Sequence, residues 1–220
     1  MVATGAFTAK PGDNRHRHEN FIKVLLNCNI DFLPLLASCN HGYNIVGTLL
    51  KKINRIDLVA FQWCLSRKHS PQLAAISRWV SHTGDGIYYV LIGVIAALAD
   101  PMFGTSFLLT GILAFSIELP LYLVLKNSIK RRRPDDVIAE FVAFLIPSDK
   151  FSFPSGHTAA AFVMATLVSF YYPTFSLLAY SLASVIGFSR VLLGVHFPSD
   201  LLAGALLGTS STLLAIFLFP

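Results

Sequence analysis

The sequence predicts an all-α, polytopic membrane helix bundle of five to six spans, and three observations carry that prediction. Of 220 residues, 54% are hydrophobic and 13% charged, about half the ~25% charged share of soluble domains. Mean hydropathy is +0.62. Apolar, charge-poor runs that cross or nearly cross a ~30 Å hydrocarbon core recur through the second half of the chain. Such a chain lacks the polar surface to cover a soluble core. Intrinsic disorder, coiled coil and secreted disulfide scaffold are excluded on the same ground.

Residues 8–20 are polar, and no charged segment followed by an apolar stretch and a cleavage site marks a signal peptide. Residues 21–50 are moderately apolar but broken by Asn27, Asn29, Asp31, Pro34 and Asn40, so a sixth span there is optional. Residues 56–66 and 72–81 are amphipathic and too short to cross, which suits an interfacial position with Trp63 and Trp79 at headgroup level. Gly86–Ala99, bounded by Asp85 and Asp100, is the first span, borrowing flanking residues. The second covers 102–125 and holds one charge, Glu118. A polar connection follows, with an amphipathic piece near 137–146. The third and fourth spans, 156–172 and 174–189, turn at Pro173, and 201–220 is the fifth. The organisation expected is an extension over 1–54 and a membrane-embedded domain over 55–220. Cys28, Cys39 and Cys64 are odd in number without metal-ligand spacing, and read as thiols.

The net charge is +5 from 17 Lys and Arg, all at or before Arg190. That pattern fits membrane topology and headgroup contact. Nucleic acid is not an expected partner, because no basic-aromatic interleaving is present.

Successive spans reverse direction. The end of the second, the start of the third, the end of the fourth and the start of the fifth therefore share one membrane face. There the sequence places Lys126 and Arg133-Pro134, then Pro154-Ser155-Gly156-His157, then Ser189-Arg190, His196 and Asp200. Lys126, Arg133 and Arg190 are cations suited to phosphate, the guanidiniums as forked donors. Ser155 and Gly156 open a helix whose unpaired amides favour an anion. His157, in that first turn, suits protonation of a leaving oxygen. His196 and Asp200 are four apart, so a carboxylate can fix the imidazole tautomer and leave the other nitrogen as nucleophile.

Lys126-x6-Arg133-Pro134, Pro154-Ser155-Gly156-His157 and Ser189-Arg190-x5-His196-x3-Asp200 together resemble the three-part signature of the type-2 phosphatidic acid phosphatase family. That family shares its site with vanadium-dependent haloperoxidases and bacterial acid phosphatases. From Arg55 through Ser81–Gly86 the chain is also similar to the family's usual opening. Residues 1–50 are outside the resemblance.

The resemblance implies the acid phosphatase/vanadium haloperoxidase type of helix bundle and a metal-independent, cofactor-free membrane lipid phosphatase. It acts through a phosphohistidine on a phosphorylated lipid such as polyprenyl pyrophosphate, phosphatidic acid, phosphatidylglycerol phosphate or a glycolipid phosphate. Carried over by position, His196 attacks phosphorus, Asp200 orients it and His157 is the acid and then the base. Lys126, Arg133, Ser155, Gly156 and Arg190 hold the phosphoryl oxygens. A lipid phosphotransferase and a non-catalytic lipid-phosphate binder are the alternatives.

The family's bacterial members are integral to the inner membrane with the site on its outer face, whereas a positive-inside count puts it on the cytoplasmic face. The side of the site stays open. Lys130, Arg131 and Arg132 are expected to contact headgroups. His82 and Asp85 are expected to support the site or cap a loop, and Glu118 to pack against a polar partner or serve the site. His16, His18, His41 and His69 are expected to be solvated.

Overall fold

The computed structural model describes residues 43–68, 70–138, 141–147 and 149–219. The expectations for the N-terminal extension before residue 43, and for Cys28, Cys39, His16, His18, His41 and His69, lie outside the described residues. The chain divides into two compact units, Met1–Lys51 and Lys52–Pro220. The second unit contains all of the described helices apart from the start of the one that opens at Tyr43.

The described residues are all-α, with no strand among them. In chain order the helices are α1 (Tyr43–Lys68), α2 (Pro71–His82), α3 (Gly86–Ala99), α4 (Gly104–Ile129) and α5 (Pro134–Val137). Then come α6 (Gly156–Tyr171), a 3-10 turn (Pro173–Phe175), α7 (Ser176–Leu192) and α8 (Pro198–Leu218). The expected piece at 56–66 is the end of the longer α1, because its charges interrupt hydropathy without interrupting the backbone. Helix α2 starts as its sequence dictates: Pro71 is pre-set for the first turn, and Ser70 Oγ accepts the Leu73 N–H at 3.2 Å.

The amphipathic piece near 137–146 does not continue as a helix beyond Val137. Its backbone is engaged elsewhere. Phe144 N–H donates to Leu193 O at 3.0 Å and Phe144 O accepts from Arg78 at 2.7 Å.

Helix α6 is the centre of the bundle, packed on α8, α7 and α4. Ala159, Val163 and Leu167 are fully enclosed, and Phe107, Ala114, Ala183 and Ile186 complete the core around this helix. The α6–α8 contact is backbone to backbone. A β-carbon at Gly204 would lie 2.5 Å from Ser155 O, and one at Gly208 would lie 2.2 Å from Ala159 O. This is the small-xxx-small crossing of membrane helices, in which glycine lets two chains touch.

Leu91, Ile95, Leu98, Ile112, Leu182, Leu206 and Phe217 point outward and exposed, an apolar surface of the kind a bilayer covers. By length and apolarity, among the described residues, α4, α7 together with the 3-10 turn before it (Pro173–Leu192) and α8 are long enough to cross a membrane, and a fourth crossing results if α2 and α3, bent by 45°, act as one. Helices α3 and α6, with 14 and 16 residues, fall short of a ~30 Å core at ~1.5 Å per residue. Among the described residues these criteria support three or four crossings, which does not confirm the five to six read from the sequence.

Candidate active site

Four segments distant in sequence meet at one rim of the bundle. Ser155 N–H donates to Asp200 O at 3.1 Å, which ties the start of α6 to the first turn of α8. Arg133, just after α4, donates from Nη1 to Val195 O at 2.6 Å. Val195 lies in the loop joining α7 to α8. That loop turns at Gly194, whose φ is +81°; a β-carbon there would strike Phe141 at 2.5 Å, so glycine is required.

His196 is buried at the base of the site. Its Nδ1 stands 3.7 Å from Asp200 Oδ2, an ion-pair separation longer than a hydrogen bond. Among the described residues Nδ1 has no hydrogen-bond partner. Burial pushes the His196 imidazole down to about 4, with Asp200 opposing the shift and Arg133 and Arg190 adding to it. At neutral pH the ring is therefore uncharged, with a lone pair to give.

Lys126 and Arg133 are both buried and both pair with one carboxylate, Asp149, each taking a different oxygen. Tyr122 completes the arrangement. Its hydroxyl donates to Asp149 at 2.9 Å and accepts from Lys126 Nζ at 2.6 Å. Burial raises the Asp149 carboxyl, but Lys126, Arg133 and Tyr122 outweigh it and hold the group below the usual carboxylate value. Arg190 donates to Ser81 Oγ at 2.6 Å, while its Nε is buried without a partner among the described residues. Arg190 lies within electrostatic reach of Arg133 and Asp149, and Lys126 within reach of Asp200, so the cations and the His196–Asp200 pair share one locus.

Ser155 is buried, and its Oγ accepts from Thr158 at 2.9 Å, leaving the serine hydrogen to be donated. Gly156 opens α6 against the Tyr122 ring, which a β-carbon would approach to 3.1 Å. His157 Nε2 stands 3.1 Å from Asp85 Oδ1, and Asp85 Oδ2 stands 3.1 Å from His82 Nδ1. His82 and Asp85 thus adjoin the site as expected. A cavity of about 130 Å³ opens between the α2–α3 corner and the 141–147 loop, bordered by Ser81, Asp85, Pro147, His157 and Arg190. Glu118 is buried in α4, and the hydrogen bonds among the described residues include none to its side chain.

One expectation is corrected. Arg131 is not a headgroup contact: it is buried, with Nη1 2.6 Å from Asp200 Oδ1 and Nη2 2.5 Å from Asp57 Oδ2. After the left-handed turn at Lys130 the chain runs extended, and alternate residues face inward, Arg131 and Arg133 buried, Lys130 and Arg132 exposed. Tyr122, Asp149, Asp57 and Ser81 also reach the site, and none of the four was singled out as a site residue from the sequence.

The model of the PAP2 superfamily matches residues 102–220, which contain all of the motifs just described. The chain belongs to the PAP2 superfamily. It is 33% identical over 145 residues to a decaprenylphosphoryl-5-phosphoribose phosphatase of Mycobacterium tuberculosis, covering 64% of this chain and 77% of that one. It is 32% identical over 191 residues to phosphatidylglycerophosphatase B of Bacillus subtilis, covering 80% and 86%. The crystal structure of Aquifex aeolicus LpxE superposes with a TM-score of 0.65 at 27% identity, over 73% of this chain and 94% of LpxE. This PAP2 chain is accordingly an integral membrane protein and a lipid phosphatase, as the sequence resemblance implies.

Proposed function

We propose that the protein hydrolyses a phosphomonoester or pyrophosphate of a bacterial inner-membrane lipid through a phosphohistidine at His196. The observation that carries this is the buried, uncharged His196 beside Asp200, next to three cations of which two already hold an anion, Asp149.

In the proposed reaction the phosphoryl group replaces the Asp149 carboxylate on Lys126 and Arg133. Arg190 and the Ser155 and Gly156 donors take its remaining oxygens. With Nδ1 facing Asp200, His196 Nε2 attacks phosphorus. The N–P bond forms, the P–O bond to the lipid breaks, and His157 gives its proton to the departing oxygen. Asp200 balances the positive ring. Water then attacks, His157 takes its proton, and the N–P bond breaks to free phosphate. The cations stabilise the charge spreading over the equatorial oxygens in both steps.

The named relatives act on polyprenyl-linked and glycerol-based lipid phosphates, and both classes are substrates proposed for this chain. Purified protein is expected to release phosphate in EDTA from at least one of polyprenyl pyrophosphate, phosphatidic acid, phosphatidylglycerol phosphate and a glycolipid phosphate. His196→Ala is expected to lose essentially all turnover and the acid-labile phosphoprotein trapped by rapid quench. Wild-type turnover by that variant would end the mechanism.

A further inference from the structure

Arg131 is buried at the site, yet no step of the proposed reaction uses it. Its guanidinium lies over the Phe197 ring, 4.5 Å from the centroid, and its two terminal nitrogens serve different carboxylates. Nη1 donates to Asp200 Oδ1 at 2.6 Å and to Ser199 Oγ at 2.7 Å. Nη2 donates to Asp57 Oδ2 at 2.5 Å and to Asn54 Oδ1 at 2.9 Å. Asp57 in turn accepts the Ser199 N–H at 3.0 Å. The side chain thus joins α1 to the first turn of α8.

The effect on Asp200 is specific. Its Oδ1 is held by Arg131, and its Oδ2 accepts the Phe197 N–H at 2.8 Å. With both oxygens fixed, the carboxyl plane cannot rotate, and Oδ2 alone is turned toward His196. Asp200 is fully buried, so it needs a counter-charge to remain there as an anion. Asp57, Arg131 and Asp200 together carry one net negative charge, placed beside an imidazole that becomes positive when it accepts a phosphoryl group. A lysine could supply the charge, but its single ammonium lacks the planar fork whose two separated nitrogens reach both carboxylates and the Ser199 and Asn54 oxygens together.

We propose that Arg131 is a positioning residue that locks Asp200 in the orientation His196 needs, with Asp57 as the outer anchor of the lock. The inference rests on the assignment of His196 as nucleophile and Asp200 as its orienting carboxylate. Arg131 itself touches no reacting atom, so its loss acts on kcat through Asp200.

A double-variant cycle tests this on the purified full chain in lipid-detergent micelles, reading steady-state turnover and rapid-quench phosphoenzyme formation. Arg131→Lys is expected to lower kcat by about a hundredfold, the scale of a small misplacement of a reacting group. KM is expected to stay within about threefold, as for an interaction made only in the transition state. In an Asp200→Asn background the same change is expected to cost less than about threefold more, because both variants remove one device. Asp57→Asn, which leaves the guanidinium in place, is expected to give a smaller loss that likewise vanishes in that background; it carries the test if the arginine variants do not fold. Losses that multiply in the double variants would overturn the proposal. His196→Ala separates the two levels. If it still turns over, the nucleophile assignment fails; if it is dead while the cycle multiplies, only the role of Arg131 fails.

Discussion

The carboxylate of Asp149 occupies the ammonium group of Lys126, and its second oxygen holds the Arg133 guanidinium. An anionic side chain thus sits on the two cations proposed to hold the phosphoryl group. Because Asp149 also accepts from Tyr122, it is bonded much as a bound phosphate would be.

Asp149→Asn should therefore strengthen anion binding. Inorganic phosphate and vanadate are expected to inhibit the variant about tenfold more tightly, equivalent to ~1.4 kcal/mol, and KM should fall with them. Steady-state inhibition at fixed ionic strength measures this. Weaker inhibition would mean that Asp149 holds the cations in place instead of competing for them.

His196 gives a pH signature of stability. Its folded value near 4 lies below the ordinary 6.5, so the unfolded chain binds a proton across that interval and the folded chain does not. Stability from this group is complete above about pH 6.5 and falls toward pH 4, by up to about 3 kcal/mol. Melting curves in detergent should show His196→Gln losing less stability than wild type over this window. Parallel curves for the two proteins would contradict the burial argument.

The glycine crossing predicts a steric penalty. Gly208→Ala puts a β-carbon 2.2 Å from Ala159 O, so α6 and α8 must part. The cost expected is about 1–3 kcal/mol, in the range of overpacked cores, read as a lower melting temperature. Gly86→Ala is the control, since nothing lies within 4 Å of its β-carbon. An unshifted melt for Gly208→Ala would show that the helices separate at no cost.

The fold class was legible because composition and run length reflect the solvent the chain meets, and lipid leaves a strong mark. The meeting of Lys126, Arg133, Ser155, His157, Arg190, His196 and Asp200 at one rim was legible from the reversing direction of successive apolar helices and from local spacing. Crossing number was less legible, since α3 and α6 are short and their apolar content does not reveal what covers them. Within Lys130–Arg133 four like charges look alike. Only the left-handed turn at Lys130 and the extended run after it separate inward Arg131 from outward Arg132. Two-residue alternation applied backward from Arg133 was the available signal. Asp57 and Asp149 had none, because each reaches the site by tertiary contact from a stretch without a motif.

Ser155 and Asp200 are joined by a main-chain bond, and Gly204 brings the two helices into contact one turn further on. The half proposed to grip phosphate and the half proposed to support the nucleophile are consequently one rigid casting. Adaptation to a new headgroup falls to the surrounding loops, the α2–α3 corner and residues 141–147. Under the proposed function, mutations there are expected to retune which lipid is accepted while the reactive centre keeps its dimensions.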